Sequence, residues 1–507
     1  MFIRKKPNKS GSFSIQIISK IKGINKVVKT IGSSSTKEGV DLLLCQARQE
    51  LNNISKQTSL FLSEDDSKIE SFLSTLDNTN VSVIGPELVF GKIYDKIGFS
   101  AVNENMFRHL VVARLAFPLS KLKTIDYLFR YQGVSLNIDS IYRFMDKLNN
   151  NLKHQVEQIS YQHTLELLNK KISVVFYDMT TLYFEASDED DLRKTGFSKD
   201  GKHQKPQIFL GLLVGLGGYA IGYDIFEGNI FEGHTLIPIL EKLSNKFHLS
   251  KPIVVADAGL LSTININLLE ANGYKYILGA RIKNETKKIK QQITCSPLKN
   301  DEYKTIKKGT GQRLIITYSD KRASKDEHNR KRGLQRLEKR VTSGKLTKSN
   351  INNRGYNKYL KMEGEIKIKI DYNKCEEDKK WDGLKGYITN SKLDPKKIID
   401  NYKNLWHIEK AFRMSKTDLK IRPIYHRNKD RIEAHICISF TAYAIYKELE
   451  RLLYKEKIDL SVKKAAELTK TMYQLKVVLP ESQKQKNILL NMDEKQTELM
   501  KIIAKNC

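Results

Sequence analysis

Apolar and polar positions change period several times along the chain, and each change marks an element. Residues 12–32, SFSIQIISKIKGINKVVKTIG, alternate across Gly23 and predict two strands, after which TKEGVDLLLCQARQEL predicts a helix. A polar stretch, SEDDSKIESF, follows, and helical spacing dominates residues 88–160. Two helices there, SKLKTIDYLFRYQG and NIDSIYRFMDKLNNN, are joined by a short turn. The pair fits a helix-turn-helix or ordinary helical packing, and the second helix has no basic recognition face.

From residue 171 the pattern becomes that of an α/β chain. KISVVFYD is a continuous apolar run, as expected of a strand covered on both faces. IFLGLLVGLGGYAIG predicts two strands about Leu216-Gly217-Gly218, and GHTLIPILEKLSNKF a helix. PIVVADAGLLS is a strand ending in Asp257, TININLLEANGY a helix closed at Gly273, and KYILGAR another strand, which together make a β-α-β unit. Between 283 and 380, RLIITYSD and EIKIKIDYN predict strands on either side of a basic helix. Within it, residues 321–341 hold nine Lys or Arg against three Asp or Glu, a solvated face or a DNA contact. WDGLKGYITN resumes the α/β pattern. The helix around residues 401–416 must stop before Pro423, and residues 427–453 repeat Ile432, Ile436, Phe440, Tyr443 and Leu449 at helical spacing. The tail reads as helical and polar, and there are no internal repeats.

Charge narrows the partners. The 507 residues carry 88 Lys and Arg against 58 Asp and Glu, and the formal net charge of +30 is spread over most of the length. Dispersed cations suit a polyanion, and nucleic acid fits better than a membrane surface because neutralising many phosphates releases counterions. The five cysteines have neither CxxC spacing nor an even number, so neither a zinc knuckle nor a disulfide framework is indicated, and a reducing compartment is expected. The longest uncharged apolar run is too short and glycine-broken to span a bilayer, and MFIRKKPNKSG has no signal-like apolar segment. A cytoplasmic protein without a membrane association is expected.

Three carboxylates stand out. Asp178 and Asp257 are each read at the end of an apolar strand, where side chains leave an α/β core for a crevice. Glu409 is read on a polar helical stripe with Tyr402, Arg413 and Lys416, all within about 60° at 100° per residue. Singly, the aspartates could be caps and the stripe a solvated face. Together with the net charge they suit phosphodiester chemistry, in which two Mg²⁺ ions held by carboxylates activate a nucleophile and stabilise the leaving oxygen. Arg413 and Lys416 would then hold a flanking phosphate, and Tyr402 would donate to phosphate or stack on a base. His234, His426 and His435 are read as structural.

The order strand-Asp, strand-Asp, insertion, helix-Glu resembles the DDE transposases of the bacterial insertion sequence 4 superfamily. The helix motif of that group is Tyr, two residues, Arg, three residues, Glu, six residues, Lys; Tyr402, Glu409 and Lys416 match it, and Leu405 stands at the arginine. VVFYDMTTLYFE, GFSKDGKHQKPQI, EGNIFEGHTL, VVADAGLLS, GYITN, LWHIEKAFRMSK and RPIYHRNKDRIEAHI resemble the insertion sequence 1634-like branch in particular, over about residues 165–455.

The resemblance implies an α/β fold with an RNase H-like core and a mixed sheet, interrupted by a β-rich insertion. The expected organisation is a small basic β-β-α unit at 1–60, a helical DNA-end-binding region at 61–165, the core at 166–282 and 381–455, the insertion at 283–380, and a helical tail at 456–507. It also implies catalytic, metal-binding roles for Asp178, Asp257 and Glu409 in a two-metal Mg²⁺ site that Mn²⁺ can also fill, and DNA contacts for Tyr402 and Lys416, with Arg413 added from helix geometry. The implied partners are double-stranded DNA, as terminal inverted repeats and target, and a second copy of the chain in a synaptic complex. The implied setting is a bacterial cytoplasm, at the nucleoid when bound to DNA. The competing readings are a nuclease of similar fold that does not join strands and a transposase-derived DNA-binding protein without catalysis.

Overall fold

Val174–Tyr183 buries eight of its ten residues on alternating faces, so the strand needs cover from both sides. It is a central strand of an eight-stranded sheet. The strands of this sheet are β1 (Val174–Tyr183), β2 (Gln207–Val214), β3 (Ala220–Glu227), β4 (Ile253–Ala256), β5 (Lys275–Ala280), β6 (Tyr303–Lys308), β7 (Gln312–Tyr318) and β8 (Leu384–Thr389). The computed structural model describes residues 1–21, 23–55, 64–198, 201–309, 311–344, 346–363, 367–479 and 482–507. Lys22, Ser63, Lys199, Asp200, Glu365 and Ile366, which fall in segments read above, lie outside the described residues.

The spatial order is β6-β7-β8-β5-β4-β1-β2-β3. Strands β1, β2 and β3 form an antiparallel meander, β4 and β5 run parallel to β1, and β8, β7 and β6 return antiparallel beyond β5. The β2–β3 turn has Gly217 at φ 77° and Gly218 at φ 82°, a left-handed pair that side chains resist. This is the mixed α/β architecture with a large mixed sheet that the sequence predicts.

Helices cover both faces. Those used below are α1 (Asn105–Ala116), α2 (Lys121–Gln132), α3 (Ile138–Lys147), α4 (Lys153–Leu167), α5 (Leu236–Phe247), α6 (Thr263–Ala271), α7 (Asp320–Thr342), α8 (Pro395–Lys403), α9 (Trp406–Arg413) and α10 (Lys429–Lys455). Val175, Tyr177, Val254 and Ala256 pack with α5 and α6, whereas Val174, Phe176, Val255 and Ile277 pack in the larger core with α8, α9 and α10. Helix α10 is buried on nearly every side from Ile432 to Leu453, as expected of a helix apolar all round, and it packs against α1, α3 and α4.

The structure corrects three features of the organisation. The segment 283–380 is not chiefly β: β6 and β7 extend the main sheet and a hairpin pairs Leu360–Glu363 with Lys367–Ile370, but α7 and the helices Lys287–Thr294 and Tyr372–Lys379 hold more residues. The first unit is β-β-β-α, because Phe2–Pro7 also pairs, antiparallel to Phe13–Ile21. FIRKKP shows no sequence alternation, and an exposed edge strand does not require any. The tail contains two strands, Tyr473–Val478 and Gln485–Leu489, besides its helices. By contacts, the chain divides into one compact unit of Met1–Val81 with Leu475–Ile488 and another of Ser82–Gln474 with Leu489–Cys507. Among the described residues no helix is long and apolar enough to cross a membrane, and all five cysteines are free thiols.

Candidate active site

Asp178 lies in the middle of β1 rather than at its end, since MTTLY continues the strand and stays paired with β2 as far as Tyr183 opposite Gln207. What ends near Asp178 is its other neighbour. The parallel β1–β4 ladder closes with Tyr177 beside Ala256, so Asp178 and Asp257 are the residues that immediately follow its last pair. The crevice therefore opens where β4 stops and β1 continues, at the carboxyl end of a parallel strand.

Strand parity decides which way both side chains face. Asp178 shares its face with Val174 and Phe176, and Asp257 continues the alternation of Ile253 and Val255. All of these belong to the face covered by α8 and α9. Helix α9 carries the exposed Glu409 and packs on β1, β2 and the 216–218 turn. Its Lys410 and the α10 residue Lys447 both pair with Glu450, which pins the helix to α10.

Tyr402 joins the sheet to this cover. Its hydroxyl donates to Asp257 Oδ1 at 3.2 Å, and its ring packs against Tyr387 with centroids 4.7 Å apart. A Cβ on residue 279 would stand 2.5 Å from that hydroxyl, so the tyrosine reaches Asp257 only across a glycine. The Lys385 ammonium sits 4.5 Å from the centroid of the Tyr402 ring. Burial first, then Arg322, depress the Lys385 pKa, while Asp257 and Glu409 oppose the shift. Burial raises the Tyr402 pKa, and Asp257 and Glu409 add to the rise. The hydroxyl is therefore a proton donor to Asp257 at any physiological pH. Beside it opens a cleft of ≈ 690 Å³ lined by Asp257, Tyr402, Lys385, Arg281, Arg322 and Arg330, among others.

The polar stripe predicted for a single helix does not survive. Helix α8 ends at Lys403 and α9 begins at Trp406; between them Leu405 N–H bonds to Tyr402 O and His407 N–H to Asn404 O, both three residues back. Such 3₁₀-type steps turn the chain more per residue than an α-helix and break the azimuthal count. Tyr402 is consequently 4 % exposed, which leaves it a carboxylate partner and removes base stacking from its roles. Leu405 is buried in the main core, so the motif's arginine position offers no access to phosphate here. Arg413 is exposed and lines a separate recess of ≈ 360 Å³ with Lys410, Asp418 and Glu450, a different opening from the Asp257 cleft. Lys416 is half-buried on the π-helical turn Met414–Asp418.

Asp178, Asp257 and Glu409 are oxygen donors with no thiol nearby, the donor chemistry that Mg²⁺ takes. Asp178 and Asp257 continue the alternation of one sheet face and Glu409 lies on the helix that covers that face, but among the described residues no three His, Cys, Asp or Glu side chains gather into a metal cage. Each aspartate is also held locally: Asp178 Oδ1 accepts from Met179 N–H at 2.7 Å and Asp257 Oδ1 from Ala258 N–H at 2.6 Å. Sequence reasoning missed Lys385 and Gly279. The only trace of them is a lysine opening the GYITN strand and a glycine ending KYILG, and neither signals a site without the pairing of β5 with β8.

A sequence model of the family described as "Transposase DDE domain" matches residues 169–445, more than half of the chain. No curated protein matches. Among solved structures, the piggyBac transposase in a synaptic complex with hairpin DNA is similar at 10% identity and a TM-score of 0.39, over 76% of this chain and 78% of that one. The Mos1 transposase in a paired-end complex with the left transposon end is similar at 12% identity and a TM-score of 0.16, over 31% and 53%. Likenesses this distant carry no argument about the site.

Proposed function

The chain belongs to the transposase DDE-domain family, and from that premise we propose that it mobilises a bacterial insertion sequence of the insertion sequence 4 superfamily, 1634-like branch. It binds the element's terminal inverted repeats as double-stranded DNA, cleaves at their ends and transfers the freed strand into target DNA. It works as a homodimer in the synaptic complex, in the bacterial cytoplasm.

The observation that carries this reading is that the β1–β4 ladder ends with Tyr177 beside Ala256, immediately before Asp178 and Asp257, on the sheet face that the Glu409 helix covers. The run β3-β2-β1-β4-β5, a meander followed by two parallel strands, is what we read as an RNase H-like core. Asp178, Asp257 and Glu409 would hold Mg²⁺, or Mn²⁺ in its place. When bound, the metal supplies charge stabilisation at the leaving oxygen and a more acidic attacking hydroxyl. Tyr402 fixes the Asp257 carboxylate by hydrogen bonding. Lys385 adds positive charge beside Asp257 and Glu409, where a phosphate would approach, and Lys416 and Arg413 contact DNA outside the reacting centre.

The test uses the full chain and linear DNA carrying its own element ends. Asp178→Asn, Asp257→Asn and Glu409→Gln should each lower Mg²⁺-dependent cleavage by on the order of 10³, several kcal/mol of lost stabilisation, with end binding in gel shifts within a few-fold of the parent. Undiminished cleavage in any one removes that residue from the site.

A further inference from the structure

RPIYHRNKDRIEAHI is the most distinctive run that the cleavage site does not use. Its histidines, His426 and His435, have ring centroids 5.5 Å apart and face two basic side chains from the helical region, Arg114 near the end of α1 and Lys121 at the start of α2. Arg114 and Lys121 are only 6 % and 7 % exposed and His435 5 %, so three basic groups are withdrawn from water together. The compensating contacts are few. Arg114 donates to the Lys420 carbonyl at 3.4 Å, and His435 Nε2 meets the Ile421 carbonyl at 2.9 Å while its Nδ1 is buried with no partner. Lys121 has no hydrogen-bond or ion-pair partner among the described residues.

A buried cation normally has a carboxylate, because an uncompensated charge in the interior costs several kcal/mol. The nearby acid Asp146 is held in a bidentate pair by Arg431, at 2.8 and 2.9 Å. The charges bearing most on the group are positive. Burial depresses Arg114 to about 10; burial and then Arg114 push Lys121 well down. Burial, followed by Lys121, Arg114 and Arg431, takes His426 to about 3, and His435 is depressed by burial and then by Arg114 and Lys121. The amino end of α2, capped by Ser120, adds the positive end of a helix dipole. Arg114, Lys121, His426 and a helix amino terminus supply more donors than a carboxylate can accept, and a tetrahedral oxyanion can take them, while His435, its Nε2–H spent on the Ile421 carbonyl, walls the group.

We infer that the nook formed by Arg114, Lys121, His426 and His435 binds a phosphate group, as a free anion or as a backbone phosphate of DNA. The inference goes beyond the transposase reading and does not rest on it.

Thermal unfolding of the intact chain, read in phosphate and in chloride at matched ionic strength, tests it. Phosphate should raise the Tm by several degrees, as expected of a ligand that binds only the native state. Lys121→Met should abolish that increment without lowering the Tm in chloride, because it removes an unpaired charge. If free phosphate has no effect but a short duplex DNA raises the Tm in a Lys121-dependent way, the site takes a backbone phosphate. Arg114→Gln, and ³¹P line broadening with the unaltered chain, keep the test decisive should Lys121→Met fold poorly. Increments that are absent with both ligands, or unchanged in the variants, overturn the inference.

Discussion

Tyr402 reaches Asp257 because residue 279 lacks a side chain, and this single contact is open to subtraction. Tyr402→Phe keeps the ring under Lys385 and against Tyr387 and deletes only the hydroxyl. Cleavage or metal affinity should fall roughly 10- to 100-fold, the usual cost of losing a partner that orients a ligand, with DNA binding unchanged. An unaltered Mg²⁺ titration would make the hydroxyl a packing detail. Residue-scale chemistry also sets a pH response. Burial takes His407, whose Nδ1 is buried without a partner, to about 4 from an ordinary value near 6.5. The unfolded chain then binds more protons than the folded one between those values, so stability declines as pH falls from about 6.5 to about 4. His407→Leu should flatten the urea midpoint against pH in that window, and an identical slope would assign the acid loss to other groups.

At the scale of elements, the break between α8 and α9 decides what the glutamate helix can do. Nothing in NYKNLWHIEK announces it, since the segment has neither glycine nor proline and Leu405 itself has helical φ and ψ of −57° and −25°. The break is a tertiary outcome, in which Tyr402 is drawn beneath Lys385 and Leu405 into the core while Glu409 stays exposed. Leu405→Arg, which restores the family motif, should therefore destabilise by about 3–5 kcal/mol through an unpaired buried charge, visible as a lower Tm. A variant as stable as the parent would mean that the side chain can reach solvent or phosphate. The elements themselves were largely legible: the β2–β3 turn, α5, the β4-α6-β5 unit and α10 lie where periodicity predicts them, and β1 starts as predicted but runs five residues past Asp178. Phe2–Pro7 was illegible because an exposed edge strand has no buried face to write into the pattern.

Over the whole molecule, the net charge of +30 should appear as strongly salt-dependent DNA binding, with a slope of log K against log salt of about −5 or steeper if six or more phosphates are neutralised. Lys416→Ala should make that slope shallower by about one, and an unchanged slope would remove Lys416 from the phosphate contacts. What the sequence alone determined was local: the strands and helices whose burial repeats every 2 or 3.6 residues, the basic surface, and the identity of Asp178, Asp257 and Glu409 as the acids to watch. Only the tertiary structure decided that Asp178 and Asp257 continue one sheet face and that the Glu409 helix covers it, because that follows from strand parity and the packing of the helix on the sheet. It alone brought Lys385 and Gly279 to Asp257, and Arg114 and Lys121 to His426 and His435. These neighbours come from segments up to several hundred residues apart, and a one-dimensional period reports which side of an element is buried but not what is buried against it.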